Sequence, residues 1–252
     1  MLPEERRRRI VELVTVRDGC RVEDLSGQLD VSETTVRRDL DYLDDQNLIE
    51  RTHGGAMPVV DRVNEYDKRK IQNQDAKRAI AQRAVDEIHE EQVVAFGAGS
   101  TTLEVTTAVP EDLPFSVLTN HPTIAYQLGD SKAEVRLTGG RFQKDHQRLT
   151  GPLAEQAIEQ MNFDLAFVGT EGIDAEAGFT TAYHDAARLK ELMIANSQRA
   201  VVLADHSKLD SQNIVQFCDF SDIDLVITDE TVSDEIRETL AAHDVTIAIG
   251  ER

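Results

Sequence analysis

The chain has 252 residues, with 27 Lys and Arg set against 47 Asp and Glu, and a formal net charge of −20. The length predicts one large domain plus a small one. No apolar run can span a membrane and the first residues carry no signal-peptide pattern, so a cytoplasmic protein without a membrane partner is expected. Cys20 and Cys218 stand far apart without companion Cys or His at ligand spacing, which predicts ordinary reduced thiols, no disulfide framework and no metal or other cofactor.

The acid excess argues at first against a nucleic-acid partner, because phosphate binding relies on Lys and Arg. Residues 1 to 56 hold nine Arg against thirteen acids, a net of −4, so no domain is basic by sum. The arginines are nonetheless clustered, at Arg6 to Arg9, at Arg37 and Arg38, and at Arg51. Acid excess with few lysines is also the composition of cytosolic proteins from extreme halophiles. In such salt the Debye length falls to roughly 3 Å at 1 M, so repulsion between an acidic protein and DNA is screened and direct contacts must carry the affinity.

In chain order, residues 4 to 17 place Ile10, Val11 and Val14 at helical spacing, and Gly19 ends the pattern. Val22, Leu25 and Leu29 predict a second short helix, and Asp30-Val31-Ser32 a tight turn. A third helix follows, with Val36, Leu40 and Leu43 at i, i+4 and i+7 and Ser32 as N-cap. Thr34, Arg37, Arg38 and Asp41 share its opposite side, and Thr34 and Thr35 lie at the end where a recognition helix meets base edges. Taken alone, that face fits equally well a solvated surface in which Arg37 and Asp41 pair at i, i+4. The next segment, Leu48 to Ala56, has strand-like ends around a polar, glycine-bearing tip with Arg51 and His53. Three short helices and a hairpin make a winged helix-turn-helix, which favours DNA binding over the solvated surface.

The run Val31-Ser32-x-x-Thr35-Val36-Arg37-Arg38-Asp39-Leu40-x-x-Leu43, followed by Leu48-Ile49 and His53-Gly54-Gly55-Ala56, resembles the N-terminal signature of the DeoR family of transcriptional regulators. That resemblance implies a repressor of sugar-metabolism genes whose binding to double-stranded operator DNA is modulated by a phosphorylated sugar, and which forms homodimers or larger homo-oligomers. The DNA-binding residues expected are Ser32, Thr34, Thr35, Arg37, Arg38, Arg51 and His53.

Residues 1–57 are thus read as the DNA-binding domain, 58–75 as a linker and 76–252 as a sensor domain. The sensor begins with a helix from about Ala76 to Glu90 and then alternates strands and helices, which predicts an α/β domain built on a mainly parallel sheet with helices on both faces. Ligands bind beyond the carboxyl ends of such strands. Gly97-Ala98-Gly99-Ser100-Thr101-Thr102 offers backbone N–H groups, hydroxyls and a helix start to an anion. It is not a dinucleotide fingerprint, since Thr102 stands where the third glycine would be, and not a Walker A loop, since no Lys follows. A single phosphate fits better, with a hydroxyl-capped structural turn as the alternative. Lys208, one of seven lysines, lies in a loop at the same end and suits a second phosphate contact. Asn120, Gly140, Glu171, Asp174 and Asp205 follow other strands, and Tyr183 precedes a helix. Lys190 stands mid-helix beside Glu191, where a solvated or ion-paired role is at least as reasonable as a sugar contact. His206 receives no role.

The same stretches resemble the DeoR sensor domain, which is similar to ribose-5-phosphate isomerases; in those the Gly-Ser-Thr loop and a lysine like Lys208 hold phosphate. Many family members have an acidic residue where this chain has Gly97. The competing function is a sugar-phosphate isomerase with an appended helix-turn-helix, using Glu171 or Asp174 as the proton-transfer carboxylate. Polar turn chemistry explains those two residues better, and the enzyme reading leaves the first 56 residues unused, so no catalytic residue is assigned.

Overall fold

The computed structural model describes residues 2–17, 19–46, 48–58 and 65–251. The chain divides into two compact units, Met1–Gln72 and Asn73–Arg252.

In the first unit α1 (Pro3–Val16), α2 (Val22–Leu29) and α3 (Glu33–Asp45) pack around Ile10, Val14, Leu25, Val36 and Leu40, all fully buried. β1 (Cys20–Arg21), β2 (Glu50–Thr52) and β3 (Gly55–Met57) form an antiparallel sheet in the order β1-β3-β2. The wing is therefore three-stranded, not the simple hairpin its sequence suggests. β1 is only two residues long, too short to show any alternation. Its approach explains Gly55: a Cβ there would meet the Cys20 carbonyl oxygen at 2.0 Å.

The expected linker is in part helical. Residues 59–64 lie outside the described residues, but α4 occupies Glu65–Ile71, and α5 starts at Gln74, ahead of Ala76, and ends at Val85. Tyr66, only 3% exposed, gives α4 a buried anchor that a solvated linker would lack.

The second unit holds β4 (Val93–Phe96), α6 (Ser100–Ala108), β5 (Ser116–Thr119), α7 (Pro122–Gln127) and β6 (Glu134–Leu137). A hairpin of β7 (Arg141–Gln143) and β8 (Arg148–Thr150) leads to α8 (Pro152–Glu159) and β9 (Leu165–Gly169). Then come β10 (Gly172–Asp174), β11 (Gly178–Thr181), α9 (His184–Ala195), β12 (Ala200–Leu203) and β13 (Val215–Cys218). β14 (Leu225–Thr228), α10 (Asp234–Ala242) and β15 (Thr246–Ile249) complete the unit.

Seven strands make one wholly parallel sheet in the order β15-β14-β12-β9-β4-β5-β6. Its central strands are buried along nearly their full length, as residues such as Val201, Val202, Val226 and Ile227 require when helices cover both faces. The β7–β8 hairpin and a separate antiparallel sheet, β10-β11-β13, were not anticipated from the sequence. Their three- and four-residue strands are read too easily as polar loop. Strand order reverses between β4 and β9, so the ligand crevice of this topology opens between the loops that follow those two strands.

Candidate functional site

On α3 the Ser32 hydroxyl accepts from the Thr35 amide at 3.3 Å and lies 2.9 Å from the Thr35 hydroxyl, so both side chains build the helix cap. Thr34 and Arg38 are exposed, and among the described residues neither side chain makes a hydrogen bond or ion pair. Arg37 pairs with Glu33 at 3.2 Å, and not with Asp41 as a solvated, ion-paired face would have it. Asp41 instead holds Arg51 of the wing at 3.2 Å. Arg51 also donates to the Arg37 carbonyl at 3.2 Å, and its own amide donates to Asp44 at 3.0 Å. Arg51 thus braces the wing against α3 and is not an open phosphate contact. His53 is exposed in the tight turn at the wing tip.

The Arg6 to Arg9 run is likewise less available than its composition suggests. Arg6 and Arg7 donate to the two oxygens of Asp39 at 2.6 and 2.8 Å, and Arg7 stacks 3.8 Å over the Tyr42 ring. Arg9 pairs with Glu12 at 2.7 Å. Asp39, 2% exposed, is the residue that sequence reasoning missed. Its signal was present: it lies three residues after Val36 and four before Leu43, an acid on the apolar side of its own helix.

In the sensor unit the Gly97–Thr102 loop leaves β4 at the crevice. The Thr102 hydroxyl, fully buried, donates to the Gly97 and Gly99 carbonyls at 2.7 and 2.9 Å. The Asn120 carboxamide accepts from the Ala98 amide at 2.8 Å and donates to the Leu149 carbonyl at 3.2 Å. Thr102 and Asn120 therefore shape the loop and offer no side-chain contact of their own. That leaves the Ser100 and Thr101 hydroxyls, which make no side-chain hydrogen bond among the described residues, and the first N–H groups of α6, capped at Gly99. Gly97 has room for a Cβ, with its nearest neighbour 3.4 Å away, so its backbone alone does not demand glycine.

Lys208 ends a short turn after β12, two strands from β4 and so roughly 10 Å from the Gly97 loop by strand spacing. Its side chain makes no hydrogen bond or ion pair among the described residues. Asp205, expected to touch sugar, is instead only 2% exposed. It accepts from the Ser207 amide at 3.1 Å, from the Ser207 hydroxyl, and from Asn73 at 2.8 Å. Burial pushes its carboxyl up, but Ser207, Lys208, Asn73 and Lys77 outweigh this and hold it below the ordinary value.

The remaining expected sugar contacts scatter. Glu171 accepts from the Ala182 amide at 2.8 Å, and Asp174 accepts from the Glu176 and Ala177 amides at 3.0 and 2.9 Å, closing the β10–β11 turn. Lys190, 8% exposed, is buried and not solvated, and sits 4.7 Å from the Phe217 ring, while Glu191 pairs with Arg188. Tyr183 packs against Arg148 and His146, and Arg148 pairs with Asp185 at 3.0 Å. Gly140 lines a cavity of about 420 Å³, together with Arg141, Thr150, Gly151, Pro152, Leu153 and Asp185. Its φ of +106° and a would-be Cβ contact of 2.5 Å with the Thr150 oxygen make glycine necessary.

His206 acquires a definite environment. Asp229 accepts from its amide at 2.8 Å and sits 2.9 Å from its Nδ1. Glu230 adds a third possible metal ligand within 4.8 Å, but both Asp229 oxygens are engaged by His206, which favours a pinned imidazole over an ion site. The hydrogen bond to Asp229 raises the His206 pKa above its ordinary 6.5; the charges of Asp229, Glu230 and Asp205 add to this and partial burial opposes it. The stabilisation this interaction gives the fold is therefore complete below pH about 6.5 and is lost as pH rises through the elevated value. The advantage in melting temperature of wild type over His206→Gln is expected to shrink as pH rises above 6.5; a constant difference up to pH 9 would contradict it.

A capped recognition helix with an open arginine, a braced wing and a parallel sheet with an anion-suited loop define a DNA-binding regulator with a sensor domain. Residues 6–60 match the model of the DeoR-like helix-turn-helix domain, and residues 72–230 that of the DeoR C-terminal sensor domain. The chain is 48% identical to the HTH-type transcriptional regulator GlpR of Haloferax volcanii over 252 residues, covering 99% of both chains. It is 32% identical to the HTH-type transcriptional repressor GlcR of Bacillus subtilis, covering 100% of this chain and 98% of that one. Among solved structures, ribose 5-phosphate isomerase A of Methanocaldococcus jannaschii overlays with a TM-score of 0.41 at 17% identity, over 55% of each chain. The protein belongs to the DeoR family of transcriptional regulators. The acidic, halophile-like composition accords with the Haloferax relative. Among the described residues no helix is long and apolar enough to cross a membrane.

Proposed function

We propose that this chain is a cytoplasmic repressor of sugar-metabolism genes that binds operator DNA through α3 and responds to a phosphorylated sugar in the sensor unit. The observation that carries the effector reading is the Gly97–Thr102 loop at the switch of strand order. Its inward groups are spent on its own shape, while the Ser100 and Thr101 hydroxyls and the α6 N-terminus remain for an anion. Lys208 supplies a positive charge across the crevice. A sugar on that phosphate would extend toward the cavity that Gly140 lines.

Coupling is by linkage. An effector that prefers the sensor of the DNA-free protein lowers DNA affinity by the same factor by which DNA lowers effector affinity, about 1 to 3 kcal/mol. A homodimer would present two copies of α3 about 34 Å apart, or a multiple of that, on pseudo-palindromic DNA.

The isomerase alternative loses support because Glu171 already accepts from the Ala182 amide and Asp174 closes a turn. Relatives across the full chain carry regulator names.

The test selects DNA from a random pool with the purified protein in molar KCl, then titrates the complex with ribose 5-phosphate, fructose 1-phosphate, fructose 6-phosphate and inorganic phosphate. Release of a selected palindromic sequence by one of the sugar phosphates is the expected result. Isomerisation of any of these sugars, abolished by Glu171→Gln, would defeat the reading.

A further inference from the structure

Asn73 is the first residue of the second unit and follows directly on Gln72, the last of the first. It is the N-cap of α5 and adopts a left-handed backbone, φ 51° and ψ 39°, at the break after α4. An Asn at this position ordinarily turns its side chain onto the free amides of its own helix. Here it makes no such cap. Its amide nitrogen instead donates to Asp205 at 2.8 Å, 132 positions along the chain.

Asp205 shapes the turn that carries Lys208, through its bonds to the Ser207 amide and hydroxyl. Lys77, one turn into α5 and 4% exposed, adds a charge that acts on the same carboxylate. The residue that opens the second unit and the turn bearing the proposed phosphate contact thus share one buried acceptor.

We infer that the Asn73–Asp205 hydrogen bond is the connection through which ligand at the Lys208 turn acts on the junction between the two units. The inference rests on the effector reading above.

The element has two discrete states. In one, the Asn73 carboxamide is bonded to Asp205, as in this structure. In the other, its backbone turns to the extended conformation usual at an N-cap and its side chain caps the Asp75 or Ala76 amide, the N2 and N3 positions of α5, which lack intrahelical acceptors. A phosphate seated on Lys208 shifts the turn that Asp205 holds, and the carboxylate, moving with its Ser207 bonds, is drawn away from Asn73. A ligand shifts such an equilibrium only through a difference in its affinity for the two states, and contact with Lys208 supplies one.

Asn73→Gly tests this in the full-length protein, because glycine keeps the left-handed backbone while removing the carboxamide. The DNA is the sequence selected by the wild type, and the probes are ribose 5-phosphate, fructose 1-phosphate, fructose 6-phosphate and inorganic phosphate. DNA affinity without probe and the affinity for the probe itself are expected to stay within about threefold of wild type, while the change in DNA affinity that the probe causes shrinks at least about fivefold, a loss of most of the coupling. A merely structural role would lower the melting temperature and leave that ratio intact.

In the wild type, the same probe is expected to slow hydrogen exchange at the Asp75 and Ala76 amides as Asn73 swings onto them. This measurement stands even if the variant folds poorly. A variant with undiminished coupling, or unchanged exchange at both amides, overturns the inference alone. A wild type whose DNA affinity no probe changes overturns the effector reading beneath it.

Discussion

Replacing Arg38 with alanine is expected to lower affinity for the selected DNA roughly 5- to 150-fold, about 1 to 3 kcal/mol, the usual worth of a bidentate arginine contact to a base. Arg38 is exposed on α3 and, among the described residues, has no ion pair or side-chain hydrogen bond to give up on binding. Arg37 must leave Glu33, and Arg51 must leave Asp41 and the Arg37 carbonyl, before either reaches DNA. Alanine at position 37 is therefore expected to cost less than at position 38. With no basic domain around it, and with molar salt weakening counterion release, Arg38 has little general electrostatic attraction to fall back on. Binding isotherms on the selected sequence and on scrambled DNA measure the effect. The variant should melt like the wild type and bind sugar phosphate normally; operator affinity unchanged by Arg38→Ala would return α3 to a solvated, ion-paired surface.

Asp39→Ala should produce a comparable loss of DNA binding by a different route. It removes the shared partner of Arg6 and Arg7 from a site that is almost fully buried. Breaking a buried ion pair from one side typically costs about 3 to 5 kcal/mol, and the low end applies because Arg7, whose side chain is 28% exposed, can turn toward water. Small units have only about 5 to 15 kcal/mol of stability in total, so the first unit should be markedly weakened. Calorimetry is expected to show an earlier transition for the first unit and an unmoved one for the sensor. DNA binding should recover on cooling, which separates Asp39→Ala from Arg38→Ala. A single, unshifted transition would mean that the Arg6–Asp39–Arg7 tie contributes little.

Much of the architecture was legible because it rests on period. Val36, Leu40 and Leu43 announce a helix and its buried side wherever they occur, and apolar runs such as Val93–Phe96 and Ala200–Leu203 announce strands covered on both faces. The DeoR pattern of residues 31–56 was legible for a related reason: its side chains serve local geometry, with Ser32 capping α3 and Gly55 admitting β1. Short elements escaped. β1, the β7–β8 hairpin and the β10-β11-β13 sheet are too brief for a repeat to register, and β1 and β13 exist because of strands distant in sequence.

The assignment of polar residues to roles was legible only as a set of candidates. Sequence position placed Asn120, Glu171, Asp174 and Asp205 after strands, where a ligand would lie, and it placed Arg51 on the wing. It contained nothing about which of these groups had already found partners. Asn120 on Ala98, Glu171 on Ala182 and Arg51 on Asp41 are contacts between separate elements, and each removes a side chain from the pool open to a ligand. What the chain determined by itself was periodicity, capping and order of elements, since these depend on neighbours within a few residues. Which arginine is open, which acid is buried and which asparagine reaches across 132 residues to Asp205 was decided only by tertiary structure, because a hydrogen bond or ion pair exists only once its two ends have been brought together.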